Sequence, residues 1–245
     1  MDMLHLSRKT NALQTIIDDS HTIVFFGGAG VSTESGLPDF RSADGLYRQK
    51  FRYPPEVMLS YSFFISHPDE FYEFHKSQMI HLEVRPNPAH YKLAELEAAG
   101  RLSAVITQNI DGLHQMAGSR KVLELHGSIH RNYCLKCRRQ YDAQYIVQGS
   151  GIPRCSCGGM IRPDVILYEE GLDPAVLRES ARLIAQADTL IVGGTSLAVY
   201  PAAGLVDYFS GRHLVLINKE ATPLDSQAGL ALHGPIGGIM SGLVI

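Results

Sequence analysis

Four cysteines fall within 24 residues: Cys134-Leu-Lys-Cys137, a gap of 17 residues, then Cys155-Ser-Cys157. Two close pairs at this separation resemble a zinc ribbon, in which four thiolates close a tetrahedral site. The second pair is Cys-x-Cys rather than Cys-x-x-Cys, and Gly158 and Gly159 follow it to absorb the strain of bringing both sulfurs to one ion. A closed four-thiolate site has no open position for water, so Zn2+ here is expected to be structural. A second set of reactive types follows apolar runs. Gly28-Ala29-Gly30 follows Thr22–Phe26, Asn109 and Asp111 follow Ser103–Thr107, His126 follows Lys121–Leu125, and Gly194-Thr195-Ser196 follows Thr189–Val192. Glycines let a backbone approach phosphate, and a neutral imidazole takes a proton near its ordinary pKa of about 6.5. Any one of these alone is an ordinary loop cap or turn; their convergence on one edge argues for a site.

The elements that must position them read as alternating strands and helices. Thr22–Phe26 is a continuous apolar run ending in glycines, as suits a strand buried on both faces. His213–Asn218 is a fifth strand candidate beside the four already named. Leu6, Leu13, Ile16 and Ile17 lie at helical spacing in an opening helix. Asn87–Ala99 opens with Asn-Pro and closes before Gly100; Asp173–Ala187 opens with Asp-Pro and carries Val176, Leu177, Leu183 and Ile184. Both patterns supply an N-cap and a first-turn proline. Strands alternating with helices imply α/β with a Rossmann-like parallel sheet, and ligands bind such sheets beyond the strands' C-terminal ends. The expected division gives residues 1–38, 86–128 and 164–245 to the Rossmann-like domain. The insertions 39–85, helical, and 129–163, the ribbon, form a smaller domain.

The chain has 245 residues, 45% hydrophobic and 19% charged, with net charge −3. That suits a globular protein and marks neither a nucleic-acid nor a membrane-surface binder. No apolar run reaches the roughly 18 residues of a membrane span, and Thr22–Phe26 lacks a signal peptide's basic flank. A cytoplasmic monomer is expected.

Longer blocks sharpen this reading. Gly28-Ala29-Gly30-Val31-Ser32-Thr33-Glu34-Ser35-Gly36-Leu37-Pro38-Asp39-Phe40-Arg41 closely resembles the NAD-loop signature of the sirtuin family. Thr107-Gln108-Asn109-Ile110-Asp111-Gly112-Leu113-His114 resembles its second signature, and Leu125-His126-Gly127-Ser128 its catalytic-histidine motif. Gly194-Thr195-Ser196-Leu197 and Leu216-Ile217-Asn218 resemble its later nucleotide-binding segments. The blocks occur in the family's order and span roughly residues 20 to 240.

The resemblance implies NAD-dependent removal of acetyl groups from lysine side chains of proteins, yielding nicotinamide, 2′-O-acetyl-ADP-ribose and free lysine. It implies that Ala29, Thr33, Phe40 and Arg41 contact NAD and that Gln108 bonds a ribose. Asn109, Ile110 and Asp111 would form the nicotinamide pocket. Thr195 and Ser196 would hold the ribose-phosphate portion, Asn218 the adenosine ribose, and Ile236 the adenine end. His126 would deprotonate a ribose hydroxyl, with Asn109 beside it in catalysis. His90, His114 and His130 are read as packing or capping residues.

Arg162-Pro-Asp-Val-Ile-Leu-Tyr-Glu-Glu170 resembles the family's substrate-peptide loop, with Glu169 where glycine is usual. That departure alters either the loop's backbone or its charge near a substrate. Succinyl- and malonyl-preferring sirtuins carry Tyr-x-x-Arg after Asp-Phe-Arg; here Tyr47 is followed by Lys50, which points to neutral acyl groups. The alternative activity is mono-ADP-ribosyl transfer. A dehydrogenase is disfavoured because Thr33 replaces the third glycine of G-x-G-x-x-G and no acidic residue ends a second strand. A non-enzymatic zinc-ribbon binding module is the third reading.

Overall fold

The computed structural model describes residues 3–40, 45–48 and 50–245, with side chains from residue 10 onward. In chain order the elements are α1 (Met3–Asp19), β1 (Ile23–Gly27), α2 (Pro55–Met58), α3 (Tyr61–Ser66), α4 (Pro68–Phe74), α5 (Pro88–Ala98) and β2 (Leu102–Thr107). They continue with α6 (Leu113–Met116), β3 (Val122–Glu124), β4 (Gly127–Cys134), β5 (Gln140–Tyr141), α7 (Ala143–Gln148) and β6 (Ile161–Val165). The chain closes with α8 (Pro174–Gln186), β7 (Thr189–Gly193), β8 (His213–Asn218), β9 (Leu230–His233) and α9 (Ile236–Ser241).

Six strands form one parallel sheet in the order β3-β2-β1-β7-β8-β9. Strand order reverses between β1 and β7, so a crevice opens there beyond the carboxyl ends. β1 shows why the apolar run reads as it does. Ile23 and Phe25 pack with Leu13, Leu93 and Ile239 on one face, and Val24 and Phe26 pack with Leu183 and Ile184 on the other. Alternate residues point to opposite faces, and helices cover both.

The helix ends follow their sequence signals. The Asn87 side chain accepts from Ala89 N at 3.0 Å, and His90 Nδ1 accepts from Asn87 N at 3.2 Å. Asp173 Oδ1 accepts from Ala175 N at 2.7 Å. Each cap satisfies amides that the first turn leaves without partners. Gly100 ends α5 at φ +74.

A second sheet, β5-β4-β6, is antiparallel. Its core joins Ile129, Ile146 and Ile161 to Cys134 and Cys155. The helical stretch between α2 and α4 packs a separate aromatic core of Phe63, Phe64, Phe71, Tyr72 and Phe74. The Tyr72 hydroxyl donates to Ile161 O, and Lys76 Nζ donates to Gly149 O and Gly151 O at 2.7 Å each, joining this core to the ribbon.

Three details differ from the sequence reading. The strand expected over 121–125 is shortened to Val122–Glu124. β9 adds a sixth strand that no apolar run announced. The glycine loop runs into two short 3-10 turns, Ala29–Val31 and Thr33–Ser35, that no sequence pattern announced. Gly36, at φ +94, prevents their extension. Among the described residues no helix is long and apolar enough to cross a membrane.

Candidate functional site

Five strand ends deliver side chains or glycines to one cavity of about 550 Å³ at the edge of the parallel sheet. β1 supplies Gly28, Ala29 and Gly30; β2 supplies Gln108, Asn109, Ile110 and Asp111. His126 follows β3, Gly194, Thr195 and Ser196 follow β7, and Asn218 ends β8. Thr33, Phe40 and Ile236 also line it. Every site residue expected from the sequence is thus on this cavity, except Arg41, which lies outside the described residues, and the four cysteines.

The floor is two glycine turns pressed together. Gly30 N donates to Gly194 O at 2.8 Å, and a Cβ on Gly30 would stand 2.8 Å from Gly194 Cα. Gly194 sits at φ +59, a conformation that favours glycine. Beside them, Thr195 N donates to Asn218 Oδ1 at 2.9 Å, and Gln108 Nε2 donates to Thr195 Oγ1 at 3.1 Å. Asn218 Nδ2 is buried with no acceptor among the described residues. A phosphate cradle that admits no Cβ, beside a buried amide donor awaiting an acceptor, fits a dinucleotide with a ribose on Asn218.

The β2 end is held rigidly. Ser32 Oγ donates to Asp111 Oδ2 at 2.7 Å and accepts from Asn109 Nδ2 at 3.1 Å. Leu113 N donates to Asp111 Oδ1 at 2.9 Å. Burial pushes the Asp111 carboxyl above its usual range, opposed by the hydrogen bonds from Leu113 and Ser32. A carboxylate has about four acceptor positions, so two remain for a ligand's N–H groups.

His126 Nδ1 lies 2.9 Å from Gln108 O. A carbonyl only accepts, so Nδ1 carries the proton and Nε2 keeps the lone pair. Burial pulls this imidazole below its ordinary 6.5, against the raising effect of the Gln108 bond. The ring is therefore neutral at pH 7, with Nε2 as a base.

The remaining expected residues are placed as follows. Thr33 Oγ1 donates to Gly30 O at 3.0 Å. Phe40 packs edge-on to Tyr47, ring centroids 5.6 Å apart. Ser196 is exposed at the rim, whereas Ile236 is buried, 3% exposed.

Residues outside the expected set also shape the site. Ser32 bridges Asn109 and Asp111, and only its place inside the glycine signature pointed to it. His130 Nε2 donates to Asp111 O at 2.8 Å, and its ring lies where a Cβ on Gly112 would fall. The Glu34 carboxylate accepts from Gly237 N at 2.7 Å and Gly238 N at 3.2 Å, tying the glycine loop to α9. His90 and His114 pack together as read, ring centroids 4.7 Å apart.

Away from the cavity, the Sγ atoms of Cys134, Cys137, Cys155 and Cys157 all lie within 4.8 Å of one another. Cys134–Cys157 and Cys137–Cys155 sulfurs are 3.5 Å apart. Tetrahedral zinc with Zn–S near 2.3 Å calls for sulfurs about 3.8 Å apart, so the four fit one ion. Lys136 N and Cys137 N donate to Cys134 Sγ at 3.4 and 3.5 Å. The Cys157 amide, then the Tyr141 hydroxyl, hold the Cys155 thiol down, while, against the Gly159 amide, the neighbouring sulfurs push the Cys157 thiol up; metal binding requires the thiols to release their protons. The short Cys-x-Cys spacing is accommodated by its glycines. Gly158 turns at φ +79, and a Cβ on Gly159 would strike Cys134 Sγ at 2.6 Å.

A doubly wound parallel sheet with a dinucleotide cradle at its switch point, a neutral histidine beside it and a four-thiolate ribbon defines an NAD-binding enzyme class. The Sir2 family model matches residues 28–201, and the chain belongs to that family, the sirtuins. It is 55% identical over 240 residues to an NAD-dependent protein deacetylase of Clostridium acetobutylicum, covering 96% of this chain and 98% of that one. A protein of the same name from Cutibacterium acnes is 56% identical over 227 residues, covering 92% and 93%. Among solved structures, Sir2 with a p53 peptide and NAD+ superposes with TM-score 0.84 at 40% identity, covering 95% of each chain. A Sir2 variant with a deacetylated p53 peptide and 3′-O-acetyl ADP ribose gives TM-score 0.87 at 40% identity, covering 95% of this chain and 96% of that one.

Proposed function

We propose that this chain is an NAD-dependent protein-lysine deacetylase, releasing nicotinamide, 2′-O-acetyl-ADP-ribose and the free lysine. The observation that carries the reading is His126, a neutral imidazole whose Nε2 keeps its lone pair on the cavity that Asn109 and Asp111 line. NAD supplies the ribose carbon that captures the acetyl oxygen as nicotinamide leaves.

The chain's own groups do the rest. His126 Nε2 removes a proton from a ribose hydroxyl, while its Nδ1–H on Gln108 fixes the tautomer and the ring's direction. Asn109, with Nδ2 engaged by Ser32, keeps Oδ1 as an acceptor for the reacting groups. Asp111 accepts from the nicotinamide carboxamide, and Ile110 gives that pocket its apolar wall. Ala29, Thr33, Gln108, Thr195, Ser196 and Asn218 would hold the sugars and phosphates, and Ile236 is assigned to the adenine end. Phe40 shields the nicotinamide ribose from water, which strengthens every electrostatic interaction inside. Arg41 is assigned to the cofactor by its place in the signature alone. The four cysteines hold Zn2+ structurally, out of reach of the cavity.

Residues 1–38, 86–128 and 164–245 form the NAD-binding unit in this reading, with 39–85 and 129–163 as the smaller one. The separate aromatic and cysteine-lined cores support that division. The substrate is an acetylated protein; Lys50 in place of arginine favours neutral acyl groups. The enzyme is a cytoplasmic monomer without nucleic-acid or membrane partners, where reduced thiols keep their metal. Mono-ADP-ribosyl transfer finds no support in the relatives' names.

Incubation with NAD and an acetylated peptide, followed by mass spectrometry, tests the reading. The expected products are deacetylated peptide and 2′-O-acetyl-ADP-ribose. An ADP-ribosylated peptide, or no nicotinamide release, would overturn it.

A further inference from the structure

Residues 165–170, within the segment 162–170 read above as the peptide-binding loop, are tied to their neighbours by several hydrogen bonds. Ile166 N donates to His126 O at 3.0 Å. Arg162 Nη1 and Nη2 donate to the two Glu170 carboxylate oxygens at 2.8 Å each, and Leu167 N donates to Glu170 Oε2 at 2.9 Å. Across the cleft mouth, Tyr168 N donates to Leu59 O and Tyr61 N to Tyr168 O, both at 3.0 Å. The Tyr47 and Tyr168 hydroxyls share a hydrogen bond.

Glu169 stands out in this set because it takes φ +77, in the left-handed region that favours glycine. Its side chain reaches the helical module. Ser62 N donates to Glu169 Oε2 and Ser62 Oγ to Oε1, both at 2.9 Å. Ser62 is in the first turn of α3, where an amide has no helical partner and negative charge is favoured. The carboxylate therefore offsets the backbone strain from outside its own loop.

We infer that Glu169 is a positioning residue that fixes the peptide-binding edge in its working conformation before substrate arrives. The inference rests on the reading of 162–170 as that edge. A loop already ordered loses less conformational entropy when a peptide pairs with it, so the latch acts on peptide affinity rather than on chemistry. Glu169 thus serves backbone geometry, and its charge is engaged by Ser62.

Steady-state kinetics of the whole enzyme with an acetylated peptide and NAD test this. Glu169→Ala keeps the strained backbone and loses the latch, so the KM for peptide rises about tenfold while kcat and the KM for NAD stay unchanged. Glu169→Gly loses the latch but relieves the strain, and falls between Ala and wild type. Glu169→Gln keeps neutral hydrogen bonds and restores most of the affinity. Ser62→Ala costs less than Glu169→Ala, and the double variant is no worse than Glu169→Ala alone. An unchanged peptide KM in Glu169→Ala, or a proportional change in the KM for NAD, would overturn the inference. Hydrogen exchange at amides 166–170 of the ligand-free protein separates this outcome from failure of the deacetylase reading. Faster exchange in Glu169→Ala upholds the latch whether or not the wild type turns over acetyl-peptide. Unchanged exchange removes the latch even in an active enzyme.

Discussion

The two sheets of this molecule are stabilised in opposite ways. The parallel sheet is covered on both faces by helices, and β1 alone buries Ile23, Val24, Phe25 and Phe26 completely. The three-stranded ribbon has few apolar residues, and two members of its buried core are cysteines that converge on one point. The first sheet is stabilised by apolar burial; the second offers four converging sulfurs to an ion. The proposed chemistry lies on the first, yet β4 starts at Gly127, one residue after His126, so the ribbon sheet begins directly beside the proposed base.

The largest expected effect is on the ribbon. Structural zinc contributes on the order of 10–16 kcal/mol to small thiolate modules. Cys134→Ala, or a strong chelator, is expected to abolish metal binding and soluble active protein together, as read by metal analysis and nicotinamide release. Full activity after metal removal would break the contrast. Next, His126→Ala is expected to lower deacetylation by about 10²–10⁴-fold. NAD affinity, read by calorimetry, should hardly change. Near-normal turnover would take this imidazole out of the mechanism.

Ile184→Ala sharpens the comparison from the other side. It removes buried apolar volume between α8 and the parallel sheet and is expected to cost about 2–5 kcal/mol in denaturant unfolding, with zinc content unchanged. Acid, taken one histidine at a time, is the mildest probe. Burial lowers His75 and His90 to about 4 and His114 to about 3, the last helped by neighbouring His90. Their folded values lie below the ordinary 6.5, so the unfolded chain binds more protons in between. Their contribution is complete above pH 6.5 and is lost as pH falls toward 4. Each histidine should cost about 2 kcal/mol between pH 7 and pH 5. Denaturant midpoints at those pH values check this, and His114→Phe should remove one histidine's share. An unchanged pH slope in that variant would count against the assignment.

The residues that were readable in the sequence share a physical reason. β1, β2, β7 and β8 are buried on both faces at their centres, so each carries a continuous apolar run there. Asn87 and Asp173 announce helix starts because few side chains can accept amides there. β9 escaped notice because Leu-Ala-Leu-His is short, only half buried over most of its length, and ends in a histidine. β4 and β6 escaped because a two-sided mixture of polar residues and a shifted register leave no period to read. The site residues delivered by strand ends were found, whereas Ser32, Glu34 and His130 act by bonding to other site residues, and partners remote in sequence leave no local pattern.

Glu34 has a consequence for how the protein comes into being. Its carboxylate grips amides 203 and 204 positions further along the chain. During synthesis the glycine loop therefore lacks this tie until Gly237 and Gly238 have left the ribosome. A nascent chain halted before residue 236 would hold the cavity residues from Gly28 to Asn218 but not the amides that Glu34 binds.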